Sequence, residues 1–202
     1  MNRTRGIFVA VDGPKHAGKS SVLAVASQLL TDNGVATVFT KEPTPQFRLD
    51  NEQRHSGHEL AEILAADRAQ HLTDVIVPGL DQYDAVVTDR YIASSLVFQV
   101  FDGVPFEEVW ALNREFQLPD LNIILDADTA SLRRRSALRD AHTRLEDNDS
   151  DRERALYHEA GAFLAGRGVQ VVRVDNSDSV TEAETAAHIA HSIAAAIGGK
   201  HV

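Results

Sequence analysis

Short, almost wholly apolar runs alternate along the chain with longer stretches whose apolar positions recur at helical spacing. The runs are IFVAV at 7–11, VATVF at 35–39, DAVVT at 84–88, LNIILD at 121–126 and VQVVRV at 169–174. Each is rich in β-branched residues and followed by polar or Gly-containing text, as expected of strands buried on both faces. The intervening segments are long enough for crossover helices. The pattern therefore predicts an α/β fold with a five-stranded parallel sheet and helices on both faces. Between His58 and Tyr83, residues Leu60, Ile63, Leu64, Ala66, Leu72, Val75 and Ile76 fall at near-helical spacing, and Pro78 is expected to bend or end that helix. No repeat interrupts the pattern, and 202 residues suit one domain over 1–202.

Composition narrows the function classes. Apolar residues at 43% and charged residues at 25% exclude collagen-like, disordered and membrane-spanning chains. Twenty Lys and Arg against 30 Asp and Glu give a net charge of -10, a field that repels polyanions, so neither nucleic acid nor a membrane is an expected partner. Cysteine is absent, which removes disulfides, thiolate nucleophiles and Cys-zinc sites. The start MNRTRGIFVAVDG lacks the apolar run of a signal peptide, so a cytoplasmic location is expected.

The sharpest chemical signal lies at the end of the first run. Gly13, Pro14, Lys15, His16, Ala17, Gly18, Lys19 and Ser20 satisfy G-x-x-x-x-G-K-[ST], after a strand and before the helical text that Ser21 continues. In such a P-loop, backbone N–H groups converge on phosphate oxygens at a positive helix end. Lys19 reaches the β and γ phosphates, and Ser20 offers a hydroxyl to Mg²⁺. ATP and Mg²⁺ are the expected cofactors. A second oxygen ligand is expected at a neighbouring strand end, where Asp89 closes DAVVT, and Arg90 beside it can present a fork to phosphate. The alternative for Asp89 and Arg90 is a surface pair after a strand.

Beyond the P-loop, five ordered blocks resemble the thymidylate kinase family of P-loop nucleoside monophosphate kinases. After the P-loop come FTKEP at 39–43, LAADRAQHLTDVIVPGL at 64–80, DRYIASSLVFQ at 89–99, PDLNIILDADTASLRRR at 119–135 and TRLED at 143–147. The resemblance implies a P-loop NTPase three-layer fold, a nucleoside monophosphate acceptor and a homodimer. It also implies an arginine-bearing lid at about 136–148, in which Arg139 and Arg144 close over the transferring group while Arg135 touches the same phosphates. It places Arg68 on the acceptor base. Glu42 is a candidate for Mg²⁺-bound water or the acceptor sugar, or else a surface loop residue. Arg48 is a candidate for the acceptor phosphate, and Gln99 either contacts the base edge or caps its helix. Arg133, Arg134, Arg152 and Arg154 read instead as a solvated face stitched by ion pairs.

Departures from the family pattern concentrate on the acceptor side. Lys15 stands where the family carries an acid near the acceptor's 3'-hydroxyl, and Leu64 where it stacks an aromatic ring. Leu96 replaces an amide, Phe98 a tyrosine, and Glu42-Pro43-Thr44-Pro45 the Glu-Pro-Gly-Gly stretch. These four positions, Lys15, Leu64, Leu96 and Phe98, are expected to line the acceptor pocket and to weaken its selectivity. Transfer of the γ-phosphate of ATP to dTMP or a related deoxypyrimidine nucleotide is the leading expectation. A kinase for a modified acceptor, and a nucleotide-binding switch or ATPase, are the alternatives.

Overall fold

The computed structural model describes residues 5–47, 51–138 and 149–199. The apolar runs become five strands, β1 Ile7–Asp12, β2 Thr37–Lys41, β3 Ala85–Asp89, β4 Leu121–Asp126 and β5 Gln170–Asp175. They pair in parallel in the order β2-β3-β1-β4-β5. The helices are α1 Lys19–Asp32, α2 Asn51–Arg54, α3 Gly57–His71, α4 Val77–Gln82, α5 Ile92–Phe101, α6 Phe106–Asn113, α7 Thr129–Ala137, α8 Ser150–Ala165 and α9 Glu182–Gly199.

Alternation along β1 divides the core between the two faces of the sheet. Ile7, Val9 and Val11 pack with Val22, Leu23 and Leu30 of α1 and with Ile189 and Ile193 of α9. Phe8 and Ala10 pack on the other face with Leu80, Ile92, Leu96, Val97, Tyr157 and Leu164. This is the three-layer P-loop NTPase arrangement. With β1 central, the chain going from it to β2 at one edge and crossing back over it from β3 to β4, the crevice for a ligand lies at the carboxyl ends of β1, β3 and β4.

Three sequence expectations need adjustment. Strand β2 begins at Thr37 rather than Val35, because Val35 still donates to Leu30 O at the end of α1 and Gly34 turns there at φ 73°. Full burial holds for β1 and nearly so for β3 and β4, whereas β2 and β5 are the sheet edges and only partly covered. The helical path does not stop at Pro78. A π turn at Leu72–Ile76 joins α3 to α4, and Pro78 sits in the first turn of α4, where a missing N–H costs least.

Candidate active site

The loop from Gly13 to Gly18 connects β1 to α1, and its glycines are required by space. A Cβ on Gly13, at φ +148°, would lie 2.0 Å from Leu125 O. One on Gly18, at φ +87°, would lie 2.7 Å from Asn176 Nδ2, the group that donates to Ala17 O. His16 adopts φ 64°, an uncommon conformation for a residue with a Cβ, so the loop carries backbone strain where it curls. Lys19 folds back across the loop, its Nζ donating to Gly13 O at 2.8 Å and Pro14 O at 2.9 Å. Burial, then the neighbouring Arg90 guanidinium, lowers the Lys19 pKa to about 7, against the pull of Asp89, Glu153 and Asp12. A polyphosphate here would supply the negative charge that this buried ammonium lacks.

Ser20 Oγ donates to Asp89 Oδ2 at 3.1 Å, so the P-loop hydroxyl and the strand-end carboxylate share one spot. The other carboxylate oxygen, Asp89 Oδ1, is buried without a hydrogen-bond partner. A hydroxyl and a carboxylate with an unsatisfied oxygen fit Mg²⁺, which takes hard oxygen ligands and draws the rest from water and phosphate. Among the described residues no cluster of three or more His, Asp or Glu side chains could hold a metal alone.

Arg90 follows Asp89 at φ 74°, a second left-handed non-glycine residue. Asp12 stabilises this corner: its Oδ1 accepts from Tyr91 N, Ser94 N and Ser94 Oγ at the start of α5, and its Oδ2 from Asn122 Nδ2. A carboxylate from β1 thus caps α5 from outside and favours its N-terminal dipole. So held, Arg90 donates to Tyr157 Oη at 3.0 Å and packs 4.8 Å from the centre of the Phe98 ring. Lys15 Nζ lies 5.2 Å from the same ring. From α8, Glu153 accepts Lys15 N–H at 3.0 Å. Burial raises the Glu153 pKa, against the Lys15 amide and the Arg90 charge.

On the α5 side of Arg90 a cavity of about 300 Å³ opens between α3, α5 and the loop after β2, lined among others by Lys15, Leu60, Leu64, Arg68, Arg90, Phe98 and Gln99. A second groove of about 220 Å³ follows the P-loop and includes His16, Gly18, Lys19, Ser20, Ser21 and Asp89. Lys15 and Arg90 line both. Arg68 is only 3% exposed. Its Nε and Nη2 donate to Glu42 Oε2 at 2.9 and 2.7 Å, Nη2 also to Ser95 Oγ at 2.9 Å, and Nη1 to Asn113 Oδ1. Burial opposes the Arg68 charge, yet Glu42 outweighs it and holds the pKa above the usual arginine value. Glu42 Oε1 in turn takes His71 Nδ1–H at 3.0 Å, and His71 Nε2 lies 2.7 Å from Thr40 Oγ1.

The sequence-predicted residues thus divide. Gly13 to Ser21, Asp89 and Arg90 converge at the strand ends, and Glu42, Leu64, Arg68, Phe98 and Gln99 surround the neighbouring cavity. Leu96 does not join them. At 1% exposure it packs in the core between Ile92 and Val97, because the turn of α5 gives the cavity Ser94, Ser95, Phe98 and Gln99 instead. Glu42 is no surface residue: both its oxygens are engaged and it supports Arg68. Arg135 reaches the P-loop at His16 O, 3.4 Å away, while Asn176 O and Asp178 also hold it. Arg133 pairs with Asp151 and Arg134 with Asp178 near the surface, as the solvated-face reading expects, whereas Arg154 forms a partly buried pair with Asp126 and Arg152 lies over the Phe101 ring. Arg48, Arg139 and Arg144 lie outside the described residues.

Sequence reasoning missed Asp12, His71, Asn113, Glu153 and Tyr157. Asn122, a polar residue inside LNIILD, was the one local sign of a buried network. Nothing local marks Glu153 or Tyr157, whose partners lie 138 and 67 residues away.

Residues 11–187 match the family model described as thymidylate kinase. The thymidylate kinase of Halalkalibacterium halodurans is 36% identical over 138 residues, which span 62% of this chain and 66% of that protein. That of Clavibacter michiganensis subsp. michiganensis is 34% identical over 83% of this chain and 84% of its own length. That of Exiguobacterium sibiricum is 29% identical over 89% of this chain and 91% of its own.

Proposed function

The chain belongs to the thymidylate kinase family, an enzyme family of nucleoside monophosphate kinases, and from that premise we propose that it transfers the γ-phosphate of ATP to dTMP, giving dTDP and ADP. The observation that carries this reading is the sharing of Lys15 and Arg90 by the P-loop groove and the acceptor cavity. Two anionic substrates bound there would meet end to end between two cations.

Each residue then has a stated task. The P-loop amides and Lys19 hold the β and γ phosphates of ATP. Arg90 orients the acceptor phosphate, whose oxygen attacks the γ phosphorus in line as the bond to the β-bridging oxygen breaks and ADP departs. Ser20 and Asp89 would hold Mg²⁺, which when bound offsets the charge on the phosphates. Arg68 meets the base, held rigid by Glu42, Ser95 and Asn113. Arg135 borders the nucleotide side. Arg139 and Arg144 belong to the lid at about 136–148 that excludes water during transfer. The family's habit supports a homodimer, and the sequence composition supports a cytoplasmic location.

A coupled ADP-release assay over dTMP, dUMP, dCMP, dGMP and AMP tests the reading. dTMP is expected to turn over fastest, and absence of turnover with every monophosphate overturns it.

A further inference from the structure

Glu153, in the first turn of α8, is a carboxylate with no place in the kinase reading. It is 4% exposed, and it lines neither the P-loop groove nor the acceptor cavity. Burial raises its pKa. The Lys15 amide and the facing charges, Arg90 after β3, Lys15 in the P-loop and Lys19 of α1, oppose that rise without cancelling it, and Tyr157 follows on its own helix. A carboxyl whose folded pKa stands above its unfolded value destabilises the fold when ionised. The deficit is full at pH above the folded value and fades as pH falls toward the unfolded value of about 4.3. A buried charge that weakens the fold points to a task outside folding.

That task is visible in what Glu153 holds. Its Oε1 accepts the Lys15 N–H at 3.0 Å, just before His16 turns at φ 64°. A strained turn of this kind persists only when its surroundings fix it, and here α8 supplies a fixed point from outside the loop. One helical turn later, on the same face of α8, Tyr157 Oη accepts from Arg90 Nη1 at 3.0 Å. Lys15 and Arg90 are the two residues common to the groove and the cavity, and both pack against the Phe98 ring, at 5.2 and 4.8 Å from its centre. One face of α8 therefore spaces the two cations between which donor and acceptor phosphates would meet.

We propose that Glu153 is a positioning residue for phosphoryl transfer: by accepting the Lys15 amide it holds the Lys15 side chain at the junction of the two substrate sites. This deepens the kinase reading and rests on it. Glu153 acts through Lys15 rather than on either substrate.

The test uses the full chain with Glu153→Met, which keeps bulk and removes the acceptor, and Glu153→Gln, which keeps an acceptor oxygen and removes the charge. Turnover of dTMP with ATP is measured for each, and for Glu153→Met also in a Lys15→Ala background, with melting followed from pH 4 to pH 7. Glu153→Met is expected to lower kcat roughly 10- to 100-fold with little change in either KM, because misplacement at the reacting end loses alignment rather than binding. Glu153→Gln should retain most of the wild-type kcat. In the Lys15→Ala background Glu153→Met should lower kcat by no more than about threefold further, since the group it positions is already gone. Glu153→Gln should melt no lower than the wild type at pH 7, and any advantage should shrink toward pH 4. An unchanged kcat in Glu153→Met overturns the assignment, as do equal losses in the Met and Gln variants, a fully additive loss in the Lys15→Ala background, or a loss of kcat in both variants that tracks lowered melting. Absence of turnover by the wild type on every monophosphate sinks the kinase reading itself, and this inference with it.

Discussion

Lys19 is a buried lysine whose Nζ donates to two P-loop carbonyls and is paired directly with no carboxylate. With its pKa lowered to about 7 by burial and by Arg90, it contributes little to the stability of the free protein. Lys19→Met should therefore reduce turnover by on the order of 10²–10³-fold while leaving the melting temperature intact, and near-normal turnover would remove Lys19 from the reaction. Asp89→Asn should raise the Mg²⁺ concentration for half-maximal activity by about tenfold or more, the range seen when metal-site contacts are lost. An unchanged Mg²⁺ titration would clear Asp89 of that role. Glu42 is the opposite kind of residue, one that the fold needs. Removing its charge with Glu42→Gln leaves the Arg68 guanidinium buried and uncompensated, so unfolding by denaturant should show a loss of about 3–5 kcal/mol.

At the scale of elements, α8 is the brace between β4 and the P-loop. Arg154 and His158 hold Asp126 at the end of β4, Glu153 holds Lys15, and Tyr157 meets Arg90 and Ser94. Burial alone would raise the Asp126 pKa, but hydrogen bonds from Arg154 and His158 outweigh it and hold the group below the usual carboxylate value. A depressed carboxylate stabilises the fold above its unfolded pKa of about 3.9, and that contribution fades as pH falls through the folded value. Asp126→Asn should thus destabilise by about 1 kcal/mol at pH 7 and by progressively less below pH 4. A pH-independent difference in melting would contradict this. The segment between α7 and α8 carries the proposed lid, and Arg144→Ala should lower kcat far more than it raises KM for ATP, since a lid arginine acts as charge develops in transfer.

For the molecule as a whole, the net charge of -10 and the anionic substrates pull in opposite directions. Locally, Lys15, Lys19 and Arg90 line the P-loop groove, so anionic phosphate would meet cations there despite the acidic whole. Substrate affinity should accordingly fall with added salt. The proposed homodimer predicts sedimentation at twice the 22.1 kDa chain mass at micromolar concentration, and a monomer under those conditions would refute it. Among the described residues no helix is long and apolar enough to cross a membrane.

The chain's apolar runs were sufficient to place five parallel strands: β1, β3 and β4 are buried and so apolar at nearly every position, and the half-covered edges β2 and β5 keep enough β-branched residues to show. The P-loop was equally legible, since Gly13, Gly18, Lys19 and Ser20 act within one turn of chain whose backbone conformation they dictate themselves. Register at β2 was not legible, because hydrogen bonding at the end of α1, rather than side-chain pattern, decides where pairing starts. The acceptor cavity was least legible of all. Whether position 96 or 99 faces the cavity depends on how α5 is rotated, and that rotation is fixed by Asp12 on a distant strand. The hold on Arg68 comes from Glu42, Ser95 and Asn113, on three separate elements. Sequence sets what each element is and which chemistry it carries. Only tertiary contact decides which of those groups are already satisfied and which are left for a ligand.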